Sequence, residues 1–165
     1  AMDKGTKVEQ IYEATHLLKK HGIHVSLFLQ LGYLNETIDD IKLTIKLVED
    51  LLPDDIGISV SYPLPGTIFY ENVKEQLKLK SNWTDSDELA MMFENTYKPE
   101  FYKQLQKYIH KIYQFKRHLF FAKQFAVKPS FLNFRHGISL LKTIPLLIVE
   151  KWKLKKIEPN ATASL

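Results

Sequence analysis

Cysteine is absent from this chain, which removes disulfides, thiolate metal sites and cysteine nucleophiles together. Glycine and proline are sparse, 6 and 7 in 165 residues, so each one marks a position. Long apolar runs are missing too. The longest, Ile144 to Val149, falls far short of the roughly 20 residues that span a bilayer. Neither sign of charge dominates: 23 Lys and Arg face 19 Asp and Glu, a formal +4. Most of the basic excess follows residue 98, which argues for a basic face on the second half. The first residues read as a charged, capped helix and not as a signal peptide. With 45% hydrophobic and 25% charged residues, the composition is that of an ordinary globular domain with room for a core.

The segments that are present alternate between helix and strand patterns. Thr6 and Glu9 have capping-box spacing, and Val8, Ile11, Thr15 and Leu18 then share a face. Lys19, Lys20 and His21 suit the end of that helix, and Gly22 stops it. Ile23–Leu31 reads as a strand with both faces covered by helices, because it is almost continuously apolar from Val25. Gly32-Tyr33-Leu34-Asn35-Glu36-Thr37 is a turn, and Ile38, Ile41, Ile45, Val48 and Leu52 predict a helix from Thr37 that stops at Pro53. The pattern repeats: strand Ile56–Tyr62, turn Pro63-Leu64-Pro65-Gly66-Thr67, then a short helix from Ile68 to about Leu77.

The second half is helical in pattern. Asp85-Ser86-Asp87-Glu88 reads as a capped helix start. From Pro99 a long helix repeats Phe101, Leu105, Tyr108, Ile112, Phe115 and Leu119 until Pro129 interrupts it. Another helix runs from near Ser130 to about Lys156, with a kink expected at Pro145, and residues 159–165 read as a disordered tail.

Two strands joined by a helix are expected to be parallel neighbours, Ile23–Leu31 beside Ile56–Tyr62. Two parallel strands cannot cover themselves, since such sheets need several. The sequence therefore reads as the back portion of a larger β/α domain followed by helices. Ligands in such folds sit outside the carboxyl ends of the strands, so the two turns are where a site would lie.

The residues Met2-Asp3-Lys4-Gly5-Thr6, Gly22-Ile23, Gly32 to Asp40 and Pro63 to Tyr70, in that order and spacing, resemble the radical S-adenosylmethionine (SAM) enzymes. The closest branch is the cobalamin-binding one, of the anaerobic magnesium-protoporphyrin monomethyl ester cyclase type. The resemblance covers residues 2 to 80. It implies an α/β fold, the C-terminal portion of a partial (β/α)6 TIM-like barrel: residues 1–80 hold the last βα units and 81–158 a helical extension. It also implies an enzyme using SAM and a 4Fe–4S cluster, with cobalamin as a further cofactor of that branch. The cluster's Cys-x3-Cys-x2-Cys loop and any cobalamin domain would lie upstream, so this chain alone is expected to be inactive. What the resemblance carries over is the adenosine side of the pocket: Gln30 and Gly32 at one strand end, Val60, Ser61 and Tyr62 at the other. Where the family has Pro-Gly, this chain has Leu34-Asn35, and asparagine tolerates the left-handed backbone that glycine would supply.

Plainer readings stand beside these. Gly32 and Gly66 also fit as turn glycines, and Glu36 fits better as a charge at a helix start than as an acid catalyst. His16, His21 and His24 lack the spacing of a metal pair, and no catalytic residue is assigned. The basic, aromatic stretch from Lys98 to Lys156 reads first as a helical cap over the barrel. The missing N-terminal part of the enzyme is the expected partner, with an acidic membrane surface as the other candidate and nucleic acid not expected. A cytoplasmic, membrane-peripheral location accords with this. The rival to the enzyme reading is a non-catalytic binding or membrane-associated helical module on a truncated β/α remnant.

Overall fold

The chain folds as a mixed, mostly helical α/β unit. The computed structural model describes residues 5–77, 93, 95–125, 127 and 129–158. In order these form α1 (Val8–Lys20), β1 (Ser26–Leu31), α2 (Ile38–Leu51), β2 (Asp55–Val60), α3 (Ile68–Val73) with a 3₁₀ turn at Lys74–Gln76, α4 (Pro99–Phe125) and α5 (Phe131–Ile157). The expected helix start at Asp85 and the tail 159–165 lie outside the described residues.

The strands are parallel neighbours, in register from Ser26 opposite Asp55 to Leu31 opposite Val60. Side chains alternate across a strand, and one face of this sheet is apolar: Leu29, Leu31, Ile56, Ile58 and Val60 are buried with Ile41, Ile45 and Val48 of α2. The other face departs from expectation. Phe28 is 77% exposed there, beside Gln30, Gly57 and Ser59, so β1 is covered on one face only. The described helices pack on the opposite face and along one edge, and an almost unbroken apolar strand could not reveal that. The Phe28 ring sits close to Gly57, where a Cβ would stand 2.9 Å from it.

Local signals set the element ends. Thr37 and Asp40 exchange capping bonds: the Asp40 amide donates to Thr37 Oγ1 (3.3 Å) and the Thr37 amide to Asp40 Oδ2 (2.8 Å). Thr67 and Ser130 cap α3 and α5 in the same way, accepting from the amides of Tyr70 and Asn133 at 3.1 Å. At α1 the cap falls on Lys7, not Thr6, with Gln10 Oε1 accepting the Lys7 amide at 2.8 Å. Gly22 closes that helix at φ 71°, where a side chain would be strained. Of the expected α1 face, Thr15 is buried while Val8 and Leu18 are exposed. The reason is position: α1 meets α2 through Tyr12 Oη to Asp50 Oδ2 (2.9 Å) and through Lys19, which caps the carbonyls of Leu51 and Leu52.

α4 holds the core together. Phe101, Tyr102, Leu105 and Ile109 are fully buried, so the helix sinks two apolar rows and not only the one its heptad-like spacing shows. It runs along the edge of β2 that β1 leaves free, where Gln106 Nε2 donates to the Ile58 carbonyl (3.1 Å). At the start of β2 the Tyr113 hydroxyl meets the carbonyls of Pro53 (2.9 Å) and Asp54 (2.7 Å), and Arg117 donates to the latter at 2.6 Å. α5 packs on α4 through Leu154 and through Gln104 Nε2, which donates to Glu150 Oε2 at 2.6 Å. Pro145 sits inside α5, which continues from Phe131 to Ile157.

Candidate functional site

The carboxyl ends of β1 and β2 stand side by side. The ladder extends one bond past the strands, from the Ser61 amide to the Leu31 carbonyl at 2.7 Å. That bond sets the peptide groups of Leu31, Gly32 and Ser61 against one another. Alternation then sorts the expected residues. Val60 is buried in the apolar core and Tyr62 packs partly against it, so Val60 can offer a ligand only its backbone. Gln30 lies on the open face opposite Ser59, half-buried. Ser61 points the same way and is 3% exposed, and its Oγ has no hydrogen-bonding partner among the described residues. An orphaned buried hydroxyl costs about 1–3 kcal/mol unless something satisfies it.

Gly32 is buried at φ 72°, and its peptide is held at both ends. Its amide donates to Glu36 Oε2 at 2.9 Å, and its carbonyl accepts from Asn95 Nδ2. Asn35 takes the left-handed conformation expected of it, at φ 61°. The backbone at Gly32 thus demands glycine for its own conformation. Gly32→Ala should cost about 1 kcal/mol of stability, read as a lower urea midpoint with an unchanged slope. An unchanged midpoint would mean that the turn relaxes.

Glu36 is the residue that sequence reasoning underrated. It precedes the cap of α2, and its carboxylate turns back over the strand end and is not directed at the first turn of the helix. Burial raises its carboxyl, the Gly32 amide works against that, and Asp40 adds to it, leaving a pKa of about 7. The Tyr102 phenol stands beside it, fully buried, with an Oη that makes no regular hydrogen bond among the described residues. Burial and the Glu36 charge push that phenol above its usual range. Glu36 invites a helix-start reading by its place in the sequence; only the fold brings Tyr102, 66 residues later, against it.

A concavity of about 480 Å3 opens at the opposite ends of the strands, between His16, Lys19, Asp54, Arg117, Phe120 and Phe121. Three of its charged groups are already used on the backbone: Lys19 and Arg117 bond carbonyls, and Asp54 Oδ2 accepts the Val25 amide at 2.9 Å. It braces the fold. Among the described residues no group of three His, Asp or Glu could hold a metal ion, and His16, His21 and His24 form no such cluster. His118 and His136 do meet across α4 and α5, Nδ1 to Nδ1 at 2.8 Å, so one ring donates and the other accepts. Burial lowers both pKa values, which favours the neutral rings.

No family model matches the chain. It is 31% identical over 81 residues to a protein of Pyrococcus horikoshii described as an uncharacterized methyltransferase. The match covers 48% of this chain and 18% of that protein.

Proposed function

We propose that this chain is the C-terminal part of a radical SAM enzyme and forms the adenosine side of its cofactor pocket. The observation that carries the reading is the pair of parallel strand ends, where a buried Ser61 hydroxyl without a partner adjoins the peptide groups of Gly32 and Val60–Tyr62. The Gly32 amide and carbonyl and the Ser61 amide are already bonded within the fold, so what this strand end offers the edge of an adenine is the Ser61 hydroxyl and Gln30 on the same face, with the remaining peptide groups of Val60–Tyr62. Glu36, with a pKa of about 7, can donate or accept near neutrality, which suits a ribose hydroxyl. Similarity to a protein described as a methyltransferase supports the reading, since methyl transfer commonly draws on SAM.

Two structural features favour a part of a larger sheet. The sheet has two strands in order β1–β2, so the far edge of β1 has no partner strand among the described residues. Phe28, 77% exposed on the open face, sits where the interior of a closed barrel would be. A 4Fe–4S cluster would supply the reducing chemistry toward SAM in such an enzyme. These residues do not fit as its ligands, because the chain has no cysteine; the cluster loop and any cobalamin site belong to another part of the protein. This chain's share is to hold and orient adenosine and to keep water from it.

The test begins with the gene. An in-frame Cys-x3-Cys-x2-Cys loop upstream is expected, and a frame that lacks it would leave the binding-module reading in its place. Reconstituted anaerobically, the 165-residue chain alone should take up no cluster and form no 5′-deoxyadenosine. In the longer protein, Ser61→Ala should weaken SAM binding by roughly 3- to 10-fold with an unchanged circular dichroism spectrum.

A further inference from the structure

We propose that the outer face of α5 is a docking surface for an anionic lipid membrane, with the helix lying in the plane of the headgroups. α5 is apolar on two sides. Its inner side meets α4, but its outer side leaves Phe134 51%, Leu141 75%, Ile148 62% and Trp152 56% exposed, with Ile138 at 45% between them. Helical spacing puts these residues and Pro145 in one row along a helix of 27 residues, about 40 Å long. A single cap over a sheet does not need this second apolar side, and an exposed row of that length marks an interaction surface.

Charge identifies the partner. Arg135, Lys142 and Lys153 recur along one flank of the row, and Lys156 ends it with its ammonium 3.7 Å above the Trp152 ring. The one acid of α5, Glu150, accepts from Gln104 Nε2 at 2.6 Å on its inner side and pairs through its other oxygen with Lys153 at 3.1 Å, so Lys153 is partly neutralised while the apolar row itself carries no negative charge. The imbalance extends to the helix pair. Across α4 and α5, twelve Lys and Arg stand against Glu100 and Glu150, a formal +10, while the rest of the chain holds −6 of the total +4. Trp at the row's end with lysines around it is the pattern of an interfacial helix, and basic residues beside an apolar face bind anionic headgroups. A hollow of about 240 Å3 between Phe125 of α4 and Phe134, Ile138 and Leu141 of α5 adjoins the row and is apolar enough for acyl chain ends. No helix among the described residues is long and apolar enough to cross a membrane, so contact is in plane.

This inference does not rest on the cofactor reading. Its test is flotation of the 165-residue chain with vesicles of phosphatidylcholine alone or mixed with phosphatidylserine. Binding to the anionic vesicles should be tighter by about tenfold or more and weaken with added salt. Leu141→Glu with Ile148→Glu alters only exposed positions and should abolish it with an unchanged circular dichroism spectrum. Arg135→Gln, Lys142→Gln and Lys153→Gln together should remove the preference for anionic lipid while leaving the apolar row intact. Equal binding to both vesicles, or wild-type binding by the double Glu variant, would overturn the proposal. So would a stable dimer that ignores vesicles and is split by the same Glu variant, since a second copy would then cover the face.

Discussion

Phe101→Ala is expected to lower the unfolding free energy by about 3–5 kcal/mol, a large share of the roughly 5–15 kcal/mol that holds a typical domain folded. Phe101 is fully buried near the start of α4, with ring centroids of Tyr97 at 4.5 Å and Tyr102 at 5.5 Å. Truncation removes a large apolar side chain and leaves a cavity that neighbouring rings cannot collapse to fill. The effect should be global. α4 covers α2, borders β2 and supports α5, so loosening its first turns uncovers the sheet as well. Guanidinium unfolding followed by circular dichroism reads the change. A loss under about 1 kcal/mol would mean that the aromatic cluster is not part of the cooperative core.

Glu36→Gln should stabilise the protein by about 1–2 kcal/mol near pH 8 and have little effect near pH 5. Burial lifts the Glu36 carboxyl from an ordinary 4.5 to about 7 in the folded state. A carboxyl raised by folding binds a proton as the chain folds, so its protonated form is free of penalty at low pH. The penalty for ionising it grows as pH rises from about 4.5 and is complete above about 7. The full shift corresponds to about 3 kcal/mol, and water around a partly exposed carboxyl reduces that to the smaller figure. Glutamine keeps an oxygen for the Gly32 amide but carries no charge. Wild-type stability should therefore decline between pH 5 and pH 8 more steeply than that of the variant. Parallel pH profiles for the two proteins would show that Glu36 is solvated and ordinary.

Much of the fold was legible in the residues because it is local. Thr37 with Asp40, Gly22 at a helix end, Asn35 in a left-handed turn and Pro53 after Leu52 act within a few positions of themselves. Their element boundaries fall within one to three residues of the expected ones, and the parallel pairing follows from a helix between two strands. The heptad-like spacing from Phe101 to Ile112 marked α4 as core-facing for the same reason. Apart from the α1 cap, which falls on Lys7 and not on Thr6, the failures are at long range. Val8 and Leu18 share a helical face, yet α1 sits at the rim and leaves them in water. Residues from Val25 to Leu31 look covered on both sides, yet Phe28 is open.

Sequence by itself determined the element order, the two tandem strand–turn–helix units and the exclusion of any thiolate chemistry, since these depend on residue type and on neighbours in the chain. Tertiary structure decided which apolar faces find partners. It buried the Ser61 hydroxyl without an acceptor, set Tyr102 beside Glu36 so that burial lifts a carboxylate to about 7, and left the outer row of α5 uncovered. Periodicity says that a face is apolar. Whether water is removed from it depends on what packs there from elsewhere in the chain, and desolvation moves the ionisable groups with it.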